Sequence, residues 1–331
     1  MKPKVIVSDK INKECKEIIE SLNDVAQAKF TSFSNTKEFL GELEDAAGLL
    51  VVLEPVNEEL LRFAPKLKIV ARYGVGYDTV DVEACTKRGI YVTHTPSVLS
   101  HAAAEFTIGL IICVSKGIVL ADHYVRTEWA KADKTQLHMG VDLIGKVLGI
   151  IGLGRIGYEV ALRAKAFGMK LVYYDEIRKP EAEKELNIQY MNLNDLLKTS
   201  DFVTIHVPLT AKTQSFIGEK ELRLMKHSAY LVNTSRGPVV DETALCKALK
   251  ESWIAGAGLD VFMKEPLPFE NPLIKMKNVV LTPHMATYTI ETRRAIASVC
   301  VENIRKVLLG EVPPNPVPEQ KGKNLKNKLS F

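Results

Sequence analysis

The stretch Lys146–Asp175, KVLGIIGLGRIGYEVALRAKAFGMKLVYYD, constrains this chain more than any other. An apolar run from Val147 to Ile151 meets Gly152-Leu153-Gly154-Arg155-Ile156-Gly157. A helical pattern continues to Gly168, and a second apolar run, Leu171 to Tyr174, ends in Asp175. A G-x-G-x-x-G string alone is weak, because glycine-rich turns arise by chance. Here a strand precedes it, a helix follows, and an acid closes the next strand roughly twenty residues on, which is the context a dinucleotide site demands. Gly152 permits a tight turn, Gly154 lets the backbone approach a pyrophosphate, and Gly157 lets helix and strand pack closely. The N–H groups at the helix start supply the phosphate donors. A purely structural strand–helix–strand unit needs no three glycines at this spacing.

The chain on either side repeats the alternation. Beyond Lys146, strands are expected at 147–151, 171–174, 202–207, 229–233, 254–259 and 278–281, separated by helices. Before it, strands at 4–8, 28–30, 48–53, 68–72 and 90–92 alternate with a helix through Cys15, Ile18, Ile19 and Leu22, then helices at 36–43, around Leu60 and at 80–88. Such alternation predicts an α/β chain of two doubly wound parallel sheets, helices on both faces of each. Residues 97–129 read as one mostly helical stretch whose apolar positions (Ala103, Phe106, Leu110, Ile111, Val114, Ile118, Leu120) are broader than one stripe. A helix apolar around most of its girth is buried on several sides; it is read as a hinge between domains and the contact of a homodimer through residues 99–129. A last helix, 290–309, stops before the proline-rich segment 312–318. The lysine-rich end reads as a mobile arm or as a segment that docks back.

Composition excludes some functions. The net charge of +4 comes largely from Lys321, Lys323, Lys326 and Lys328 set against Glu319, so no basic patch for nucleic acid follows. The five cysteines, Cys15, Cys85, Cys113, Cys246 and Cys300, are scattered and odd in number, which suggests reduced thiols and a cytoplasmic location. The start reads as a short charged lead into a strand rather than a signal peptide, and no apolar run is long enough for a membrane span. His94, His101, His123, His138, His206 and His227 have no spacing suited to metal, and none is expected.

A nucleotide site needs an acid–base group and a substrate anchor to become an enzyme. Asp175 suits the ribose hydroxyls of NAD and repels a 2′-phosphate; Arg178 and Lys179 just beyond it could admit NADP. Three later strand ends carry further candidates. Arg236, in Asn233-Thr234-Ser235-Arg236-Gly237, can fork onto a carboxylate. Glu265 follows Gly258-Leu259-Asp260-Val261-Phe262. His284 ends Leu281-Thr282-Pro283-His284, and histidine is the natural proton donor near neutrality, with a nearby glutamate able to orient it. Singly each is unremarkable; three at successive strand ends are not.

These stretches, ARYGVGYDTVD (71–81), GKVLGIIGLGRIG (145–157), DFVTIHVPLT (201–210), LVNTSRGPVVDE (231–242), AGAGLDVFMKEP (255–266) and NVVLTPHMATYT (278–289), together resemble the D-isomer-specific 2-hydroxyacid dehydrogenases over residues 4–315. The resemblance implies two Rossmann-like or flavodoxin-like domains with a cleft between them. Residues 1–98 plus 290–331 would form the substrate domain and 99–289 the NAD-binding domain. It implies Arg236 on the substrate carboxylate, His284 as proton donor with Glu265 bonded to it, and the backbone at Gly74, Val75 and Gly76 as a second carboxylate site. The glycines at 74 and 76 let that backbone curl into an anion-binding nest. For the cofactor it implies Gly152, Gly154, Arg155, Ile156, Gly157 and Asp175. It adds His206, Val207, Pro208, Thr213, Thr234, Ser235, Asp260, His284, Ala286 and Thr107.

In texture the chain is most similar to glyoxylate and hydroxypyruvate reductases, some of which carry a Ser-Arg pair where Asp175-Glu176 stand here. The runner-up is a short D-3-phosphoglycerate dehydrogenase; against it, Glu54 in Leu53-Glu54-Pro55 is expected near the mouth, where it would repel a substrate phosphate. Departures from the family pattern are His94 in place of Asn, Ser115-Lys116 in place of Ala-Arg, and Thr287 in place of a small residue. A non-catalytic NAD-binding regulator is the alternative of another class.

Overall fold

The computed structural model describes residues 2–33, 36–131 and 139–325; His138, Lys326 and Lys328 lie outside them. The chain divides into two compact units, Met1–Leu99 with Tyr288–Phe331, and Ser100–Thr287.

The first unit holds five strands: β1 (Lys4–Ser8), β2 (Gln27–Thr31), β3 (Ala46–Val51), β4 (Ile69–Arg72) and β5 (Tyr91–Thr93). All neighbours pair parallel, in the order β2-β1-β3-β4-β5. Every residue of β3 is buried, as expected of a continuous apolar run covered on both faces. On one face Phe39, Leu43, Leu61 and Cys85 pack on Ile6, Leu49, Val51 and Val70. The helix Ile290–Leu308 belongs to the same unit; its buried residues Ile296, Cys300 and Ile304 recur at four-residue spacing, and each fully buried isoleucine contributes about 2 kcal/mol. Thr289 caps this helix by accepting the N–H of Thr292.

Two expectations for this unit change. The single helix through Cys15 and Leu22 is a chain of short turns, Lys13–Cys15, Lys16–Glu20 and Ser21–Asp24. Ser21 bonds back to the Ile18 carbonyl at 2.6 Å, the local competition that weakens serine inside helices. The lysine-rich end is no free arm as far as it is described. Val317 N donates to Val92 O, and the buried Gln320 side chain accepts from Val92 N at 2.7 Å and donates to Ile90 O at 3.0 Å. Leu325 is buried as well. The segment thereby covers the open edge of β5.

The second unit has seven strands, all parallel: β6 (Val147–Ile151), β7 (Lys170–Tyr174), β8 (Gln189–Tyr190), β9 (Phe202–Ile205), β10 (Tyr230–Asn233), β11 (Gly256–Leu259) and β12 (Val279–Leu281). Their order is β12-β11-β10-β9-β6-β7-β8. The sequence suggested six; β8 is two residues long, too short for any periodicity, and pairs with β7 at Val172 and Tyr173. The order reverses between β6 and β9, which opens a crevice at their carboxyl ends. The helix Ser100–Lys116 buries Ala104, Ile108, Leu110, Ile111 and Val114. A Cβ at Gly258 would sit 3.3 Å from both Leu110 and Val114, so β11 and this helix approach closely. The expected continuous helix to Trp129 breaks at Gly117, whose φ of 66° is left-handed. A second helix, Ile118–Thr127, continues at a bend of 60° and buries none of its residues. Among the described residues no single helix is long and apolar enough to cross a membrane.

The helix Arg155–Ala166 meets β6 through Gly157. A Cβ there would lie 2.1 Å from the Gly152 carbonyl oxygen, a contact that backbone must move to relieve. Gly157→Ala should therefore destabilise the chain by about 3 kcal/mol. Urea unfolding checks this as a lower midpoint at unchanged slope; an unaltered midpoint would refute the packing role.

Candidate active site

The glycine turn lies at the switch point of the second sheet. Gly152 has φ of 93°, and a Cβ on it would meet Val207 Cγ1 at 2.8 Å and the His206 carbonyl at 2.9 Å. The ends of β6 and β9 are thus in direct contact. At Gly154 a Cβ would meet nothing within 4 Å. Packing therefore requires two of the three glycines, while the third leaves the start of the Arg155–Ala166 helix open. The first N–H groups of that helix have no intrahelical acceptor. Burial holds the His206 ring neutral, its pKa well below the usual histidine range, and Thr204 Oγ1 lies 3.0 Å from its Nε2. The Thr213 hydroxyl accepts from Thr210 N and donates to Pro208 O, so it closes the loop that follows β9.

At the end of β7, Asp175 accepts from Leu153 N at 2.9 Å and from Ile177 N at 3.2 Å. Its carboxylate is pinned to the glycine turn itself. Arg178 is engaged elsewhere: Nε and a terminal nitrogen donate to the two carboxylate oxygens of Glu183, each at 2.8 Å.

The carboxyl ends of β10, β11 and β12 bring the remaining candidates of this unit together. After β10, the buried Asn233 side chain accepts from Ser235 N and Oγ and donates to Arg236 O at 2.9 Å. Gly237 follows, and a Cβ there would lie 2.0 Å from the Phe262 carbonyl. That contact presses the Arg236 loop onto the loop after β11. Thr234 is held from the other side, its hydroxyl 2.9 Å from that of the buried Thr107. In the loop after β11, Glu265 accepts from Phe262 N at 3.1 Å, and its second oxygen lies 2.7 Å from His284 Nδ1. Burial pushes the Glu265 carboxyl up, but the hydrogen bond and charge of His284, with Phe262 N–H and Arg236, outweigh it and leave the pKa lowered. Glu265 is therefore an anion facing the ring.

His284 itself has φ of 53°, a left-handed conformation that costs a β-carbon residue about 1 kcal/mol. The buried Asp260 sustains it. Its carbonyl accepts from His284 N at 2.8 Å, and its carboxylate accepts from Thr282 Oγ1 at 2.6 Å, Met285 N at 2.9 Å and Ala286 N at 2.8 Å. Burial raises the Asp260 pKa despite these bonds. Sequence reasoning missed this role and that of Asn233, although a short amide or acid at a strand end is the type that builds its own turn.

In the first unit, the turn after β4 carries Gly74 with φ of 149°, and the Arg72 guanidinium lies where its Cβ would stand, at 2.9 Å. Among the described residues the N–H groups of Val75 and Gly76 donate to no protein acceptor, while His94 Nδ1 lies 3.1 Å from Val75 O. His94 thus steadies the turn, packed edge-on to Tyr77. The reading of Glu54 changes. It is buried, accepting from Ser8 Oγ at 2.7 Å, Val52 N at 2.6 Å and Leu53 N at 3.1 Å. Burial raises its pKa but these donors, with Lys10, leave it lowered. It braces the loop after β3 and pairs with Lys10 at 3.3 Å; Ser8, its partner from a distant part of the chain, was invisible in Leu-Glu-Pro.

Comparison with known proteins places this geometry. Residues 108–286 match the NAD binding domain of the D-isomer specific 2-hydroxyacid dehydrogenases. The chain is 48% identical over 322 residues to a glyoxylate reductase of Korarchaeum cryptofilum, covering 97% of each. It is 48% identical to one of Thermococcus litoralis, covering 96% of this chain and 97% of that one. Among solved structures it is similar to an NADPH-dependent glyoxylate/hydroxypyruvate reductase of Sinorhizobium meliloti in complex with NADP and malonate. That match has a TM-score of 0.86 and 32% identity over 96% of this chain and 98% of that one. The chain belongs to the D-isomer specific 2-hydroxyacid dehydrogenase family, oxidoreductases that act on 2-hydroxy acids.

Proposed function

We propose that this protein is an NAD-dependent reductase of a small 2-oxo acid, glyoxylate or hydroxypyruvate, with His284 as the proton donor. The observation that carries the reading is the His284–Glu265 pair at 2.7 Å, on loops that meet the Arg236 loop. The glyoxylate reductases to which the chain is similar support the substrate class.

The residues fit a dinucleotide. Gly154 is open where packing does not require it; there, backbone N–H groups of Arg155 and Ile156 would hold the pyrophosphate. Asp175 would accept the adenosine ribose hydroxyls and disfavour a 2′-phosphate, with Val207 and Pro208 beside the adenine half. Thr107, Thr234 and Asp260 are assigned to the nicotinamide end. The chemistry that a bound nicotinamide supplies is hydride exchange with C2 of the acid. The chain's own groups do the rest. Arg236 pairs with the substrate carboxylate and polarises its carbonyl. Glu265 occupies Nδ1 of His284, which leaves Nε2 to give a proton to the C2 oxygen and to take it back in the reverse direction. The turn Gly74–Val75–Gly76 of the first unit is assigned to carboxylate recognition as well.

The protein is further proposed to be a cytoplasmic homodimer. All five cysteines are free. The helix Ile118–Thr127 carries exposed Ile118, Val119, Leu120 and Val125, with Trp129 just beyond. Such a run of apolar side chains on one surface helix suits a second copy of the chain. Sedimentation equilibrium should return twice the chain mass; a single-chain mass at micromolar concentration would sink the dimer.

NADH oxidation with glyoxylate, hydroxypyruvate, pyruvate and phosphohydroxypyruvate tests the substrate, and selective turnover of the phosphorylated acid would overturn the assignment. His284→Ala should lower kcat by roughly 10²- to 10⁴-fold while leaving NADH affinity nearly unchanged; the reverse pattern would remove His284 from the chemistry. Glu265→Gln keeps the size of the side chain but removes the charge that faces the His284 ring. It should lower kcat while NADH affinity holds, and an unchanged kcat would argue against the pairing.

A further inference from the structure

Arg178 stands three residues beyond Asp175, in the loop where a dinucleotide fold that accepts NADP places the arginine for the 2′-phosphate. Nothing in its position along the chain prevents that use. Its side chain is committed instead. The guanidinium forks onto Glu183, with nitrogen to oxygen distances of 2.8 Å for both bonds, and it lies over the Tyr190 ring, 5.9 Å from its centroid.

An ion pair at the surface is ordinarily worth little, because two long side chains must be ordered to make it. Here much of that ordering is supplied by neighbours. Glu183 lies in the first turn of the helix Pro180–Leu186, where the helix dipole favours an anion. It also accepts from the buried Tyr173 hydroxyl at 2.8 Å. Arg178 and then Tyr173 hold its pKa down to about 2. The same Tyr173 oxygen accepts from Lys179 N at 2.6 Å, which fixes the backbone beside Arg178. Tyr173 and Tyr190 pack edge to face with centroids 5.4 Å apart. Tyr190 comes from β8, the strand without a periodic signature.

We infer that Glu183 is a specificity-determining residue: by clamping Arg178 against Tyr190 it withholds an arginine placed to welcome a 2′-phosphate, and so reinforces Asp175 in favouring NAD over NADP. The inference rests on the NAD-dependent reading above. A bound 2′-phosphate would have to displace a carboxylate already seated on the arginine and would face the charge of Glu183 in addition to that of Asp175.

Equilibrium binding of NADH and NADPH, followed by dinucleotide fluorescence, tests it without recourse to turnover. The proteins compared are wild type, Glu183→Gln, Glu183→Ala, Arg178→Ala and the double variant Glu183→Gln with Arg178→Ala. Either change at Glu183 should tighten NADPH on the order of tenfold, the scale of one charge-assisted bond, while NADH stays within about twofold. The gain should vanish in the double variant and shrink at high salt. Unchanged NADPH affinity, a gain that persists without Arg178, or equal weakening of both nucleotides would each overturn the clamp; equal weakening would mark Glu183 as a support for the helix alone. Wild type binding NADPH more tightly than NADH would overturn the NAD reading, while the clamp is decided independently by the change from wild type to variant.

Discussion

The carboxyl ends of β11 and β12 in the second unit depend on one buried carboxylate. Asp260 closes β11, and three donors converge on its oxygens while its own carbonyl takes the His284 N–H. A carboxylate so desolvated would be costly alone; three donors answer it, and in doing so they hold His284 in a backbone conformation that histidine seldom adopts. The ring then reaches Glu265, whose loop is pressed by Gly237 against the loop of Arg236. Three strand ends are therefore locked to one another, and the side chains of Arg236, Glu265 and His284 inherit their mutual placement from that lock.

What could be read in advance follows the nature of each constraint. The glycine turn was legible because Gly152 and Gly157 are required by backbone approach, and approach leaves a mark on the residue type itself. That Arg236, Glu265 and His284 follow successive strands was legible because the apolar runs before them are. The bracing role of Glu54 was hidden because its partner, Ser8, is brought near only by the parallel pairing of β1 with β3. β8 was missed because two residues show no period, and with it went Tyr190 and the setting of Arg178. The break at Gly117 was hidden by apolar residues that continue on both sides; the structure shows that those beyond it are exposed.

The two ends of the dinucleotide-binding unit use charge in different ways. At the glycine turn, Asp175 bonds to Leu153 N, so the acid proposed for the ribose also orders the turn proposed for the phosphates. Replacing it would disturb both. At the strand ends the charged side chains differ in exposure: Asp260 is enclosed, Glu265 is exposed and paired with His284, and Arg236 is half-buried on its own loop. Burial separates the carboxylate that shapes the backbone from the one that faces the His284 ring.

The division of the chain has a consequence for its synthesis. The first unit is made from both ends of the chain, with the second unit inserted between them. As the chain leaves the ribosome, residues 100–287 are complete before the helix Ile290–Leu308 exists. Until then the sheet of the first unit lacks the cover that Ile296, Cys300 and Ile304 provide, and the edge of β5 waits for Val317 and Gln320. The inserted unit, whose strands are contiguous, can fold as soon as it emerges. The nucleotide-binding half is finished first, and the other half is closed by residues that follow it in the chain.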